Sequence, residues 1–367
     1  MTCYSRRFQG TDIFERVFLH ILEEAVKWGF VDASAIFING THIKASANKR
    51  KNTKEEIVVS ARSYQEQLDK EIDEDREMYG KKPFDRNDGA PPTPETKTVT
   101  KSTTDPECGL FHKGEYEQQF AYVTGVACDK HNFVLGYNIA PGNTNDSTMF
   151  DELYEDVTER FPEAQAVDAG YKIPAIMKKI HDSERIPCVP YKRPMTKAGF
   201  FKKYEYVYDE YYDCILCPEN QVLKYSTTNR DGYREYKSNP AICRECPRRM
   251  QCTHSKSCQK VVTRHIWEPY MEAAEDYRYT PQYKAIYGLR KETIERVFGD
   301  AKEKHGMRYT QLRGLLKVKM QAALTFACMN LKKSANGKCR GGLSLSLFRL
   351  FAFLLPPFCK RRPLATA

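Results

Sequence analysis

The run Ser34-Ala-Ile-Phe-Ile-Asn-Gly-Thr-His-Ile-Lys-Ala45 decides the fold. Ala35 to Ile38 form a short, unbroken apolar segment, which reads as a buried strand rather than a half-exposed one. Asn39-Gly40 follows at once, and such a pair reads as a turn at the strand exit. The strand is therefore placed at 35–38, with a polar residue, Asn39, at its carboxyl end.

Upstream, Ile13, Phe14, Val17, Phe18, Ile21, Leu22 and Ala25 recur at helical spacing, giving an amphipathic helix over 12–28. Asp12 and Glu15 suit a capping box, and Gly29 suits the C-terminal stop. Downstream, residues 49–80 are almost all polar and read as a solvated insertion with helical character. Residues 81–105, with Asp-Gly, Pro-Pro and several Thr and Lys, read as a mobile linker. Regular structure resumes at 117–129 and 133–140, which flank Lys130-His131-Asn132 as a β-hairpin. A helix at 147–160 follows, then a buried strand, Ala164-Gln-Ala-Val-Asp-Ala-Gly170. A helix from Pro174 to His181 and a short strand from Ile186 to Pro190 complete this half. A hairpin followed by alternating helices and strands predicts an α/β fold, a mixed sheet flanked by helices. Residues 195–265, rich in Cys, Tyr and Lys, break the rhythm. A long helical region follows over 268–333, with a break near Gly306.

The chain has 367 residues, with 58 Lys+Arg against 48 Asp+Glu and a formal charge of +10. Apolar residues are 41% and charged residues 29%, which excludes a mainly disordered chain and a polytopic membrane protein. A basic surplus on a folded chain of this size favours a polyanionic partner, nucleic acid first. The apolar run Leu343 to Phe358 is broken by Arg349 and Pro356-Pro357, so no membrane span is expected. From Leu331 to the end there are Lys and Arg but no acid. That tail is either a solubilising end or a non-specific phosphate contact.

Of 13 cysteines, six fall between Cys214 and Cys258. Cys214-x2-Cys217 and Cys243-x2-Cys246, separated by 25 residues, have the spacing of a zinc ribbon; the alternative is free thiols in an ordinary core. Cys214, Cys217, Cys243 and Cys246 are the first-choice Zn²⁺ ligands. Cys252 could replace one of them, and His254 and Cys258 are weaker candidates. Lys224, Arg230, Arg234, Lys237, Arg244, Arg248 and Arg249, with Tyr225, Tyr233 and Tyr236 among them, suit either nucleic-acid contact or a solvated surface.

Three positions stand where chemistry would be placed: Asn39, Asp168 and Glu295. An acid at the end of a buried strand is costly unless it makes a turn bond or holds a cation. In series, several segments resemble bacterial insertion-sequence transposases of the DDE type, with an RNase H-like catalytic core. They are Phe37-Ile-Asn-Gly-Thr-His-Ile-Lys-Ala-Ser-Ala-Asn48, Ile139-Ala-Pro-Gly-Asn-Thr-Asn-Asp-Ser147 and Val167-Asp-Ala-Gly-Tyr-Lys172. Pro190-Tyr-Lys-Arg-Pro-Met-Thr-Lys197, Arg290 to Gly306 and Leu324-Thr-Phe-Ala-Cys-Met-Asn-Leu-Lys-Lys333 continue the series. The resemblance covers about residues 5–335.

That resemblance implies three carboxylates binding Mg²⁺ or Mn²⁺ for phosphoryl transfer on DNA. Asp168 is then the second acid and Glu295 the third. The first position carries Asn39 instead of Asp, so strand cleavage is expected to be strongly reduced. The resemblance further implies that Tyr287, Arg290 and Lys302 hold DNA phosphates. Implied partners are the transposon ends and target DNA, bound by a homodimer in the nucleoid of the cytoplasm. An inactive DNA-binding or oligomerising remnant acting as a regulator is the competing reading.

The corresponding domains are 1–34, a remnant N-terminal helix, and 35–194, the first part of the RNase H-like core with a polar insertion at 47–115. Then come 195–265, the Cys-rich insertion, 266–335, the C-terminal helices of the core, and 336–367, a basic tail. Only 34 residues precede the first strand, room for one helix. The helical DNA-binding domain of related transposases is therefore expected to be missing.

Overall fold

The computed structural model describes residues 7–8, 10–58, 64–84, 96–113, 117–191 and 194–340. Helix α1 (Ile13–Lys27) buries Phe18, Ile21, Leu22 and Ala25, the stripe its periodicity marks, and Gly29 ends it at φ 69°. The expected capping box does not form. Asp12 makes no side-chain cap bond, because its φ of −82° and ψ of 5° lie outside the extended conformation that aims a cap at the first turn.

Strand β1 (Ala35–Lys44) is longer than expected and runs straight through Gly40. Gly40 is no turn: it pairs with Gly125 within an antiparallel ladder that extends from Phe37–Cys128 to Lys44–Ala121. The polar insertion also carries more structure than its composition suggests. Strand β2 (Asn52–Val58) is followed by α2 (Gln65–Met78), and β3 (Thr96–Ser102) pairs antiparallel with β2. The supposed linker thus contributes a strand, built on the Thr and Val of 96–100, which suit a pleated ribbon. Leu68 and Ile72, one turn apart on α2, pack against Trp267.

Strands β4 (Gly109–Lys113), β5 (Glu117–Cys128) and β6 (Val134–Pro141) are antiparallel. β4 flanks the first half of β5 and β6 the second, on the edge opposite β1. Helix α3 (Asp146–Arg160), β7 (Ala166–Ala169), α4 (Pro174–Asp182) and β8 (Ile186–Cys188) follow. β1 pairs in parallel with β7, and β7 with β8. The result is the mixed sheet expected, in the order β4-β5-β1-β7-β8.

The Cys-rich segment forms a second sheet from β9 (Val207–Asp209), β10 (Cys214–Leu216), β11 (Val222–Thr228) and β12 (Tyr233–Lys237). Two short helices, α5 (Pro240–Glu245) and α6 (Arg249–Cys252), precede its last strand, β13 (Val261–His265). All five strands are antiparallel neighbours. The sheet docks on α2. Asp75, 5% exposed, takes Arg234 and the Thr228 hydroxyl, and Tyr79 stacks on Tyr225 at 3.8 Å.

Helices α7 (Glu268–Asp276), α8 (Pro281–Leu289), α9 (Ile294–Lys304) and α10 (Leu315–Arg340) complete the chain. Gly306, at φ 69°, makes the expected break between the last two. Helix α10 continues past residue 335 to Arg340; the rest of the basic tail lies outside the described residues, as do Lys192 and Arg193. One apolar cluster joins α1, the mixed sheet, α3, α4, α9 and α10. Asn330 on α10 ties that helix to β6, accepting from Val134 N–H and donating to Val134 C=O, both at 2.8 Å. No helix among the described residues is long and apolar enough to cross a membrane.

Candidate active site around Asp168

Asp168 lies on β7, the short strand placed beside β1. The parallel register aligns Phe37 with Asp168, and side chains alternate, so Asn39 and Asp168 project from one face of the sheet. Between them the chain passes at Gly170. A Cβ there would lie 2.5 Å from Asn39 Oδ1, so this position requires glycine for close approach. Asn39 turns its Oδ1 onto the next backbone group, accepting Gly40 N–H at 2.9 Å.

The Asp168 side chain is fully buried. Its Oδ1 accepts a hydrogen bond from Arg290 Nη1 at 3.1 Å. Its Oδ2 has no partner, and among the described residues it is the only buried carboxylate oxygen in that condition. Burial pushes the Asp168 carboxyl up to about 7; the Arg290 charge opposes the rise and the Glu295 charge adds to it.

Arg290 stands in the gap between α8 and α9. Thr293, buried in the same gap, donates its hydroxyl to Leu289 C=O at 2.9 Å and to Arg290 C=O at 3.2 Å. Those bonds shape the link that brings Arg290 and Glu295 to the sheet. Glu295 is the second residue of α9 and is exposed, while Ile294, Val297 and Ala301 bury the opposite stripe. Helix α9 packs against β1 and β5. Two turns after Glu295, Lys302 Nζ donates to the Thr41 hydroxyl on β1. The structure therefore puts Arg290 on Asp168, brings Glu295 within electrostatic range of that acid, seats Lys302 on β1 two residues past Asn39, and turns Asn39 to the face it shares with Asp168. Tyr287, 37% exposed, stacks on Tyr283 at 5.3 Å, one turn before Arg290.

Two residues here were missed by sequence reasoning. The Tyr171 hydroxyl occupies the space a Cβ at Gly40 would fill, so it sits beside Asn39. Thr41 anchors Lys302. Both lie in the quoted motifs, where the Gly-Thr and Gly-Tyr pairs were the available signal.

A divalent cation needs hard, anionic oxygens. Asp168 Oδ2 is such an oxygen, buried and unpartnered, and the Glu295 carboxylate adds a second charge. Asn39 adds only a neutral carbonyl, already given to Gly40 N–H. Among the described residues no group of three or more His, Cys, Asp or Glu is gathered closely enough to hold a metal ion.

The structure redistributes the cysteine candidates. Cys214 is buried within the β10 ladder, opposite Asp209 and Lys224. Cys217, Cys243, Cys246 and Cys252 line one cavity of about 310 Å³. Cys258 and His254 are not among its lining residues. Part of the interleaved set of basic residues and tyrosines is used internally, while Lys224, Arg230, Tyr233, Arg244 and Arg248 are exposed. Tyr236 is fully buried, Tyr225 stacks on Tyr79, and Arg234 is paired with Asp75, because this face docks on α2.

A family model described as a transposase DDE domain matches residues 216–335. The match begins at the last residue of β10 and runs through the rest of the second sheet into the C-terminal helices, including Tyr287, Arg290, Glu295 and Lys302; β9, Asn39 and Asp168 lie outside it. No curated protein and no solved structure matches the chain significantly.

Proposed function

Residues 216–335 belong to the transposase DDE-domain family, and on that premise we propose that Asp168 and Glu295 form the acidic centre of a DNA strand-transfer site weakened by Asn39. The observation that carries the reading is the buried Asp168 carboxylate, with Arg290 on one oxygen and none on the other. Asp168 and Glu295 would hold Mg²⁺ or Mn²⁺. Such a cation supplies an activated attacking oxygen and charge relief at the leaving oxygen.

The remaining steps belong to this chain's own side chains. Arg290, on Asp168, and Lys302, on Thr41, are the cationic donors before and after Glu295 that would meet DNA phosphates. Tyr171 sets its hydroxyl against Gly40, next to Asn39, and Thr41 holds Lys302 on the same strand. Asn39 offers no negative charge, so the centre holds a cation with two carboxylates rather than three. The family implies DNA as substrate; assembly as a homodimer on transposon ends extends the same reading.

A second reading rests on Asn39 itself: the chain binds DNA but does not cut it, and regulates an active relative. DNA contact is common to both readings and is tested by duplex binding over a salt series. Arg290→Gln and Lys302→Gln should each lower the slope of log K against log salt by about 1. Unchanged slopes in both variants would remove this face from DNA recognition.

A further inference from the structure

Helices α5 and α6 bury no side chain. The apolar core of the sheet beside them is Ile215, Leu223 and Tyr236, and the residues packed around that core lie on neither helix. Hydrophobic burial therefore gives no account of what holds these two helices in place, and small elements of this kind are commonly fixed by disulfides or metals. The cysteines here are free.

These helices carry three of the four thiols that line the 310 Å³ cavity. Cys243 lies within α5, Cys246 is its C-terminal cap and Cys252 ends α6; Cys217 enters from the loop after β10. That loop curls around its own sulfur. Asn220, at φ 54°, donates its N–H to Cys217 C=O at 2.8 Å, and Gln221 N–H points to Cys217 Sγ at 3.4 Å. The Cys252 sulfur lies within electrostatic reach of both Cys217 and Cys243. Positive groups surround the set. Lys260 Nζ donates to Cys252 C=O at 3.1 Å, and Arg249, whose Nε is buried without a partner, also lines the cavity.

We propose that Cys217, Cys243, Cys246 and Cys252 form a four-thiolate site for a soft divalent cation of the zinc class, which staples α5 and α6 to the second sheet. Four sulfurs suit such a tetrahedral ion, and Lys260 and Arg249 offset the surplus negative charge. Each thiol releases its proton to solvent on binding, so uptake acidifies the medium and weakens at low pH. No three of the sulfurs are gathered closely enough to ligate one ion as they stand. Binding draws them inward: Cys252 exchanges its contact with the Tyr206 hydroxyl and Cys243 its contact with the Ser238 hydroxyl for the ion, while the Phe201 N–H bond to Gln251 C=O keeps α6 beside the sheet. The site is independent of the DNA reading; it rests on sulfur placement.

The test uses the full chain. After exposure to Zn²⁺ and desalting, bound metal is measured, and the Co²⁺-loaded chain is scanned for sulfur-to-cobalt charge-transfer absorption. One ion per chain and a strong charge-transfer band are expected. Cys252→Ser should lose both, while Cys214→Ser, altered outside the cavity, should keep both. Metal content near zero, retained binding in Cys252→Ser, or equal loss in the two variants would overturn the site. A measurement on the unaltered chain covers the case in which a variant fails to fold. Zn²⁺ should shield these four cysteines from alkylation and a chelator should expose them; labelling of the four that ignores metal overturns the proposal as well.

Discussion

Arg290 Nη1 sits 3.1 Å from Asp168 Oδ1, so the fully buried acid of the site carries an arginine on one oxygen and nothing on the other. The two are 122 positions apart in sequence. Removing one partner of a buried ion pair usually costs about 3–5 kcal/mol. Here the carboxyl is already pushed up to about 7, so it can take a proton instead of remaining charged and alone. Arg290→Ala should therefore cost less, about 1–2 kcal/mol in urea unfolding at neutral pH. A loss above about 4 kcal/mol would show that Asp168 stays ionised.

The same carboxyl predicts a pH dependence. Its folded value, about 7, lies above the ordinary value of 3.8, so the folded chain holds this proton more tightly than the unfolded one. The stability it contributes is present at low pH and is lost as pH rises between about 4 and 7, by on the order of 4 kcal/mol at most. Asp168→Asn removes that slope. Unfolding free energies compared at pH 5 and pH 8 should fall less with pH in the variant than in the unaltered chain. Parallel profiles would contradict the assignment.

Gly40 and Tyr171 form a size lock next to Asn39. Gly40→Ala places a methyl on the Tyr171 hydroxyl, while the ring carbon behind it is 3.7 Å away, an ordinary contact. Gly40→Ala alone should destabilise by about 1–3 kcal/mol. Adding Tyr171→Phe removes the clashing oxygen and should restore most of the loss. Thermal unfolding of both singles and the double reads this coupling; strictly additive losses would contradict the contact.

Asp75 governs the docking of the second sheet. Asp75→Ala leaves Arg234, 21% exposed at its side chain, without its carboxylate, at a cost of about 3 kcal/mol. The cost should appear locally, as faster hydrogen exchange in α2 and β12 with β1 and β5 unchanged. Uniform acceleration across both sheets would show that the two are one cooperative unit.

Much of the core was legible in the sequence because its signals are local. The 117–140 hairpin and the helices at 12–28 and 147–160 follow from spacing within a few residues. What was misread depends on distant partners. Gly40 reads as a turn until Gly125 is seen opposite it. Residues 96–102 read as linker until β2, some forty positions earlier, supplies the ladder. The Arg290–Asp168 pair has no local signature, although both residues stood in the quoted motifs. Among the cysteines, spacing could not distinguish Cys214, held within a strand ladder, from Cys252, which faces the cavity.

The proposed centre pairs Asp168 with Glu295 for DNA cleavage and is limited by the neutral residue at position 39. Its most direct test is cleavage of duplex DNA in Mg²⁺ or Mn²⁺ by the unaltered chain and by Asn39→Asp. Weak or absent cleavage is expected in the first and a clear gain in the second, abolished by Asp168→Ala. Equal cleavage by the two chains, or a gain that survives Asp168→Ala, would contradict it.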